Sequence, residues 1–404
     1  MQRHTTSGPL KLVSKQYAAK VVNPSAASQL IIAHGLLGSA MNWVTVARHL
    51  VEHPMLQDKL RCVNAVDMRN HGSSPHSSDH TNAALASDLE AVVLREQQEL
   101  RRAFDAPADC STHNSILIGH SMGGLAVMGT LLRRANEDRL LPLCADDSDS
   151  TSAGGPASPF GSWGADEPRR CSAAMRAVNE AFSFTASQPI ADVLYNRATA
   201  ATSSIASRIP RLGRISGAII VDVTPTMRLG EQRSSTDNVR ETLQRMTKAN
   251  LSAIHNYNQA RDELIRVGMT DKAMRDFVTT NIVLNQRDKT HPAQWKCNLP
   301  VLAGDYGSFR ASITSWYTSA ATAAAEHGAA SSVLAPQPCS LPVLFVFGGK
   351  SPYNEPEHRR QIPKFFSNAT QVEVDGAGHF VHYEKTREFV DAVAPFIAAL
   401  ATDA

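Results

Sequence analysis

The feature that most restricts the fold of this chain is a short apolar run that leads directly into a glycine-rich turn. Ser115–Ile118 is predicted to be a buried strand, Gly119–Gly123 (GHSMG) follows it, and the next residues have a helical pattern. In a GxSxG turn the flanking glycines are needed because the turn is too tight for larger side chains, and the serine hydroxyl is lifted above the sheet edge. We therefore predict that Ser121 is a nucleophile and that the backbone N–H of Met122 stabilises an oxyanion.

Short apolar runs recur along the chain, each bounded by Gly, Asp or Asn. Besides Ser115–Ile118 they are Gln29–Ala33, Arg61–Val66, Gly217–Val221, Pro342–Phe347 and Gln371–Val374. Helical patterns lie between them, at Asn42–Leu50, Ala84–Phe104, Met122–Ala135, Arg240–Val267 and Arg387–Leu400. Short buried strands that alternate with helices are typical of a parallel sheet covered on both faces. We therefore predict an α/β fold with a mostly parallel sheet flanked by helices.

Composition is typical of a soluble globular protein and excludes several classes of function. The 404 residues are 43% hydrophobic and 19% charged, with a formal net charge of +2. Proteins that bind nucleic acid usually carry a concentrated basic patch, so we expect no nucleic-acid partner. No apolar run approaches the ~18 residues of a membrane-spanning helix. The six cysteines form no CxxC pair and no cluster with histidine, so we expect reduced thiols, no metal site and no cofactor.

Two further glycine-containing loops follow predicted strands. The loop His34–Gly38 (HGLLG) lies ahead of the serine turn, and the N–H of Leu36 is our second oxyanion donor. An ordinary glycine turn is the alternative for this loop. The other loop ends in His379, which we predict to be the general base because a base must stand above the sheet to reach a serine hydroxyl. For the neighbouring His382 we expect a structural role.

The acid that would orient His379 is harder to choose. The turn after Pro342–Phe347 contains no aspartate, and Glu355 is the only carboxylate near it. Asp222 ends the preceding strand, and an aspartate there can reach the imidazole from the neighbouring strand. A turn-capping role is the alternative for Asp222. We rank Asp222 first, Glu355 second and Asp375 third, and all three preserve the Ser–acid–His order.

Another polar turn, Asp67–Ser74, follows the strand at Arg61–Val66. We interpret it as structural and expect Asp67 and Arg69 to pair and hold loops near the pocket. No Walker loop and no dinucleotide-binding GxGxxG occurs in the chain.

The segments HGLLGSAMNW, DMRNHGSSPHS, GHSMGG, VDVTP and GAGHFVHYEKTREF together resemble the α/β-hydrolase superfamily. The chain is most similar to the group of abhydrolase domain-containing protein 11 and related bacterial esterases. The resemblance covers roughly residues 10–134 and 215–400. It implies that Asp222, in a VDxxP-like turn, serves as the acid and that a GGxSxY-like turn replaces the usual aspartate. It also implies a cap that includes Arg275–Val283 and Trp295–Leu299.

On this basis we divide the chain into a core, a cap and two insertions. The core comprises residues 10–225 and 340–404 and carries an insertion at about 136–214, whereas 226–339 form a helical cap with a second insertion. Asp146–Pro159 and Ala320–Pro338 have compositions that bury little apolar surface. We expect the first of these to be exposed and sensitive to proteases.

These predictions describe a serine hydrolase that cleaves small-molecule acyl esters or thioesters through Ser121, His379 and Asp222. The resemblance implies esters of small to medium acyl groups, including acylglycerols. An acyltransferase that uses an alcohol acceptor on the same triad is one alternative. A partner-binding protein that keeps the fold without turnover is another. The N-terminus has basic residues and no acidic residue before Glu52, a bias shared with mitochondrial presequences. We expect a mitochondrial location with a short targeting segment at 1–9, and the cytoplasm is the alternative.

Overall fold

The computed structural model describes residues 9–19, 28–103, 114–145, 214–226, 239–284, 292–304 and 337–402. Nearly all of the expected targeting segment, Asp146–Pro159 and nearly all of Ala320–Pro338 lie outside these ranges. The mitochondrial location that the targeting segment suggested therefore stays a prediction. So does the solvent exposure expected for Asp146–Pro159.

The fold is built around a seven-stranded sheet, whose strands lie in the spatial order β1-β3-β2-β4-β5-β8-β9. The strands are β1 (Ser14–Ala18), β2 (Ser28–Ala33), β3 (Leu60–Val66), β4 (Asn114–His120), β5 (Ile215–Val221), β8 (Val343–Gly348) and β9 (Ala369–Val374). All neighbouring strands are parallel except β1, which pairs antiparallel with β3. A separate two-stranded ladder joins β6 (Ile282–Val283) to β7 (Gln294–Trp295). The predicted α/β architecture is confirmed.

The six predicted strands are all present, and their ends lie within a few residues of those expected. Three strands lie outside these six runs: the short β6 and β7, and β1, SKQYA, at the edge of the main sheet. The residues of β1 are exposed or half-buried and polar, as edge strands often are, so it lacks the apolar run that marked the six. By contrast, every residue of β2, β4 and β8 is buried.

Ten α-helices can be traced in the described ranges. They are α1 (Val44–Glu52), α2 (Asn82–Ala103), α3 (Met122–Ala145), α4 (Val239–Lys248), α5 (Tyr257–Arg266), α6 (Lys272–Thr279), α7 (Leu299–Gly304), α8 (Pro356–Arg359), α9 (Val381–Glu384) and α10 (Thr386–Thr402). The prediction of a single helix over Arg240–Val267 is wrong, because a non-helical segment separates α4 from α5. There Asn256 caps α5 by accepting a hydrogen bond from Gln259 N–H at 2.9 Å, and such side chains favour helix starts over helix interiors.

Apolar side chains cover both faces of the sheet. On one face α2 and α3 pack with α4 to α7 in one continuous apolar cluster that includes Leu37 and Met122. On the other face α1 and α10 pack around Trp43 and Phe389. Within the ranges that the structure describes, no helix is both long enough and apolar enough to cross a membrane.

Candidate active site

The predicted site residues follow the carboxyl ends of neighbouring strands. Ser121 follows β4, Asp222 follows β5, and His379 lies in the loop after β9. Because these strands are parallel and lie side by side with β8, their carboxyl ends share one edge of the sheet. Ligands of open α/β sheets bind at that edge.

Asp222 is the carboxylate that contacts His379. The Nδ1–H of His379 donates to Asp222 Oδ2 at 2.7 Å. Asp222 is fully buried, and its other oxygen, Oδ1, accepts from Gly348 N–H at 3.0 Å. The hydroxyl of Ser351 also donates to Oδ2. A buried ionised group needs such partners, and here three donors supply them.

The two other candidate acids lie elsewhere. Glu355 is exposed at the start of α8, where it stands 3.4 Å from Nε2 of His358. Asp375 is also exposed. The structure therefore brings together the first-ranked acid and the predicted base.

The turn at Ser121 has the tight geometry that its glycines predicted. Ser121 is left-handed, with φ of 51°, and its N–H donates to Val221 O of β5 at 3.1 Å. A Cβ at Gly119 would lie 2.4 Å from Gly123 O, and one at Gly123 would lie 2.2 Å from Ala33 O. No side chain fits at either position, so the close approach of β2, β4 and α3 requires both glycines.

His120 connects the serine turn to the loop that carries His379. Its Nε2–H donates to the backbone carbonyl of His379 at 3.0 Å, and the two imidazole centroids are 4.7 Å apart. A Cβ placed on Gly35 would lie 2.7 Å from His120 Nδ1 and 3.3 Å from Ser121 Cβ. The HGLLG loop, the serine turn and the histidine loop therefore meet at one place.

The two predicted oxyanion donors have different surroundings. The first bond of α3 runs from Leu125 N–H to Ser121 O, so Met122 N–H precedes the helical ladder, as the first N–H groups of a helix do. In the HGLLG loop, Gly35 O accepts from Gly38 N–H at 3.0 Å and from His34 Nδ1–H at 2.7 Å. The N–H of Leu36 belongs to the same trans peptide, so it points the opposite way.

Several histidines around the site are buried and held neutral. Burial lowers the pKa of His34 to about 4, of His71 to about 3 and of His382 to about 3. Burial also holds the pKa of His120 well below its ordinary value. His382 stacks on Trp43 with ring centroids 3.9 Å apart, which agrees with the structural role expected for it.

The turn at Asp67–Ser74 is structural, but the expected pairing of Asp67 with Arg69 is wrong. Arg69 is buried and donates to both carboxylate oxygens of Asp88 in α2, at 2.7 and 2.8 Å. Asp67 accepts instead from the N–H groups of Ala40 and Ser73, at 2.7 and 2.8 Å. The planar guanidinium prefers a two-point contact with a carboxylate, and Asp88 supplies it from a separate element.

Sequence analysis noted Ser351 and Tyr353 as part of the GGxSxY-like turn but assigned them no contact with the candidate acid and base. Ser351 donates to Asp222, and the buried ring of Tyr353 lies 4.3 Å from the ring of His379. The available signal for Ser351 was its position as a polar residue just after a buried strand, at the carboxyl edge of the sheet. For Tyr353 the available signal was its place at the end of the GGxSxY-like turn.

Comparisons with known proteins agree with this architecture. The sn-1-specific diacylglycerol lipase ABHD11 of Xenopus laevis is 24% identical over 387 residues, which is 94% of this chain and 82% of the relative. Esterase YbfF of Escherichia coli is 25% identical and covers 92% of this chain and 93% of its own length. A solved marine microorganism esterase superposes with a TM-score of 0.58 at 18% identity, covering 96% of this chain and 99% of its own.

The chain also matches a described family over most of its length. Residues 30–392, which include the serine turn, Asp222 and His379, match the family described as the alpha/beta hydrolase family. The chain belongs to the alpha/beta hydrolase family.

Proposed function

We propose that this protein is a serine hydrolase that cleaves carboxylic esters through an acyl-enzyme intermediate. The observation that carries the proposal is the 2.7 Å hydrogen bond from His379 Nδ1–H to the buried carboxylate of Asp222. With the proton held on Nδ1, Nε2 of a neutral imidazole has a free lone pair and can act as a base. The left-handed turn at Ser121 presents a hydroxyl at the same edge of the sheet.

The reaction begins when the hydroxyl of Ser121 attacks the ester carbonyl and gives its proton to Nε2 of His379. The negative charge that develops on the carbonyl oxygen is stabilised by the N–H groups of Leu36 and Met122. Asp222 stabilises the imidazolium that forms. When the tetrahedral intermediate collapses, the alcohol leaves with the proton of His379. Water then attacks the acyl-serine and gives a proton to His379. When this second intermediate collapses, His379 returns the proton to Ser121 Oγ and the free acid departs.

Apolar surroundings support an acyl group as the recognised part of the substrate. Phe380 lies next to His379, with ring centroids 5.4 Å apart, and Phe277 of α6 packs against Phe380 at 5.1 Å. Apolar side chains with few polar groups are typical of small-molecule pockets. The relatives that are named a diacylglycerol lipase and an esterase also support ester substrates.

The test is a set of acyl esters of increasing chain length, assayed with wild type, Ser121→Ala and a control, Ser367→Ala. Ser367 is exposed and bonds to Cys339 O in the turn before β9, at the opposite end of that strand from His379. We expect wild type and Ser367→Ala to hydrolyse the esters equally and Ser121→Ala to lose at least 10³-fold in kcat. A fluorophosphonate probe should label the first two proteins and not the third. Folded wild type that neither hydrolyses esters nor reacts with the probe would overturn the proposal and support a partner-binding protein.

A further inference from the structure

The HGLLG loop contains a strained residue next to the predicted oxyanion donor. Leu37 is left-handed, with φ of 59°, and its side chain is buried. A branched residue in this conformation is held by its surroundings, because the left-handed region is sterically unfavourable for residues other than glycine. The groups that hold Leu37 therefore determine the shape of the loop that presents Leu36 N–H.

Two buried side chains bind the two backbone groups of Leu37. Its N–H donates to Nε2 of His71 at 3.1 Å, and its carbonyl accepts from Nδ2 of Asn281 at 2.7 Å. His71 presents Nε2 as an acceptor because its Nδ1–H donates to Arg69 O at 2.9 Å. The peptide groups on both sides of the Leu37 Cα are fixed in this way.

Asn281 comes from the segment 239–304, far from Leu37 in sequence. It follows α6, is 3% exposed, and is itself anchored, because its carbonyl accepts from Lys296 N–H at 2.6 Å and its N–H donates to Val278 O at 2.9 Å. An amide held at its backbone has little freedom to follow the loop if the loop moves. The carbonyl of Leu37 is therefore tied to a rigid point.

We propose that Asn281 is a positioning residue that holds the HGLLG loop in the conformation in which Leu36 N–H faces the oxyanion. The inference rests on the proposed function and adds to it a role for a residue outside the core strands. Asn281 acts through Leu37 and does not touch the reacting atoms. Its loss would affect stabilisation of the transition state more than binding of the ground state, since the oxyanion exists only after attack.

A matched control is available at the same junction. Asn298 also lies in this segment and donates from its side chain to Asn70 Oδ1 at 3.0 Å, while its N–H donates to Asn70 O at 2.9 Å. It therefore ties the segment to the turn at Asp67–Ser74 and not to the HGLLG loop. Loosening of the whole segment would follow from either substitution, whereas only the Asn281 variants lose a bond made directly to the HGLLG loop.

The experiment compares Asn281→Ala, Asn281→Leu and Asn298→Ala with wild type. The readouts are kcat and KM for an ester, the Ki of a trifluoromethyl ketone, the pH dependence of kcat/KM and the thermal midpoint. The ketone forms a tetrahedral adduct with Ser121 whose oxygen takes the place of the oxyanion. Asn281→Leu keeps the branched shape of the side chain but has no hydrogen-bond donor and no titratable group, so it tests the idea even if the alanine variant folds poorly.

We expect both Asn281 variants to lose about tenfold to a hundredfold in kcat, with KM changed little and the Ki of the ketone raised by the same factor. The pH dependence should keep its shape, because His379 is untouched, and Asn298→Ala should stay within about twofold of wild type in kcat. An equal loss in Asn298→Ala, or an unchanged Ki for the ketone, would overturn the inference. If wild type itself does not hydrolyse esters, the proposed function fails. That outcome is distinct from the two results that would overturn the role of Asn281.

Discussion

The carboxylate of Asp222 reaches His379 by crossing the end of β8. Asp222 follows β5 and His379 follows β9, yet Oδ2 and Nδ1 are 2.7 Å apart. The intervening strand allows this because its end has a glycine, Gly348, where a Cβ would lie 2.1 Å from Gly378 O. Gly348 N–H and the hydroxyl of Ser351 donate hydrogen bonds to the carboxylate in this position. The turn that follows β8 thus provides hydrogen-bond donors to the acid, whereas the acid itself, Asp222, comes from the turn after β5.

Asp222→Asn is expected to lower kcat by about 10⁴ while the fold is retained. The amide would present an N–H₂ group to His379 Nδ1 and favour the tautomer that carries its proton on Nε2. That tautomer cannot accept the proton of Ser121. The measurement is steady-state hydrolysis of an ester, with circular dichroism and thermal unfolding to confirm the fold.

Glu355→Gln is the control for the Asp222 substitution, because Glu355 is exposed and lies beside His358. It should leave kcat within about twofold of wild type. If Glu355→Gln abolishes activity and Asp222→Asn does not, the assignment of the acid is wrong.

Ser351→Ala is expected to lower both stability and activity, but far less than Asp222→Asn. The hydroxyl donates to Asp222 and accepts from Tyr353 N–H at 3.1 Å. Its removal leaves a buried carboxylate with one donor fewer, at a cost of about 1–3 kcal/mol in the free energy of unfolding. Denaturant unfolding checks the stability. A kcat loss as large as that of Asp222→Asn would mean that Ser351 takes part in the chemistry itself.

His382→Phe is expected to make the folded protein more resistant to acid. The pKa of His382 is about 3 in the folded chain because of burial, against an ordinary 6.5. Below pH 6.5 the unfolded chain therefore takes up a proton that the folded chain does not, so stability falls as the pH falls from 6.5 towards 3. At pH 5 this difference amounts to about 2 kcal/mol.

Phenylalanine keeps a flat ring against Trp43 and removes His382 Nδ1, a buried atom without a hydrogen-bond partner in the described part of the chain. Urea unfolding at pH 8 and pH 5 provides the comparison. The variant should match wild type at pH 8 and lose less stability between the two values. Equal losses in both proteins would show that His382 does not contribute to acid sensitivity.

Added ethanol distinguishes hydrolysis from acyl transfer on the same residues. A hydrolase should release mainly free acid, because water attacks the acyl-serine. An acyltransferase should release mainly the ethyl ester at ethanol concentrations far below that of water. Chromatographic quantitation of the two products over a range of ethanol concentrations provides the answer, with Ser121→Ala as the blank.

The sequence was most informative where local chemistry decides the structure. Buried strands such as Ser28–Ala33 and Asn114–His120 are apolar along most of their length, and the turn at Ser121 carries the glycines that its geometry requires. The edge strand Ser14–Ala18 is not marked by an apolar run, because it pairs on one side only and its residues are exposed or half-buried. Such a strand needs no apolar pattern.

Contacts that depend on tertiary arrangement could not be predicted in the same way. Arg69 was expected to pair with Asp67, its neighbour in sequence, but Asp88 meets it from α2. Asn281 has no local feature that separates it from other turn residues, and its importance follows from a bond to Leu37, 244 positions away. A single sequence does not specify which distant backbone group a buried amide will bind.

The order in which the chain is made has a consequence for when chemistry can begin. Asp222 and His379 are 157 positions apart, and the histidine comes after the last strand of the sheet. A nascent chain that has left the ribosome as far as β8 already contains Ser121 and Asp222 but has no base to activate the hydroxyl. Pairing between such distant positions is slow, so ester cleavage could start only after synthesis has passed β9 and the histidine loop.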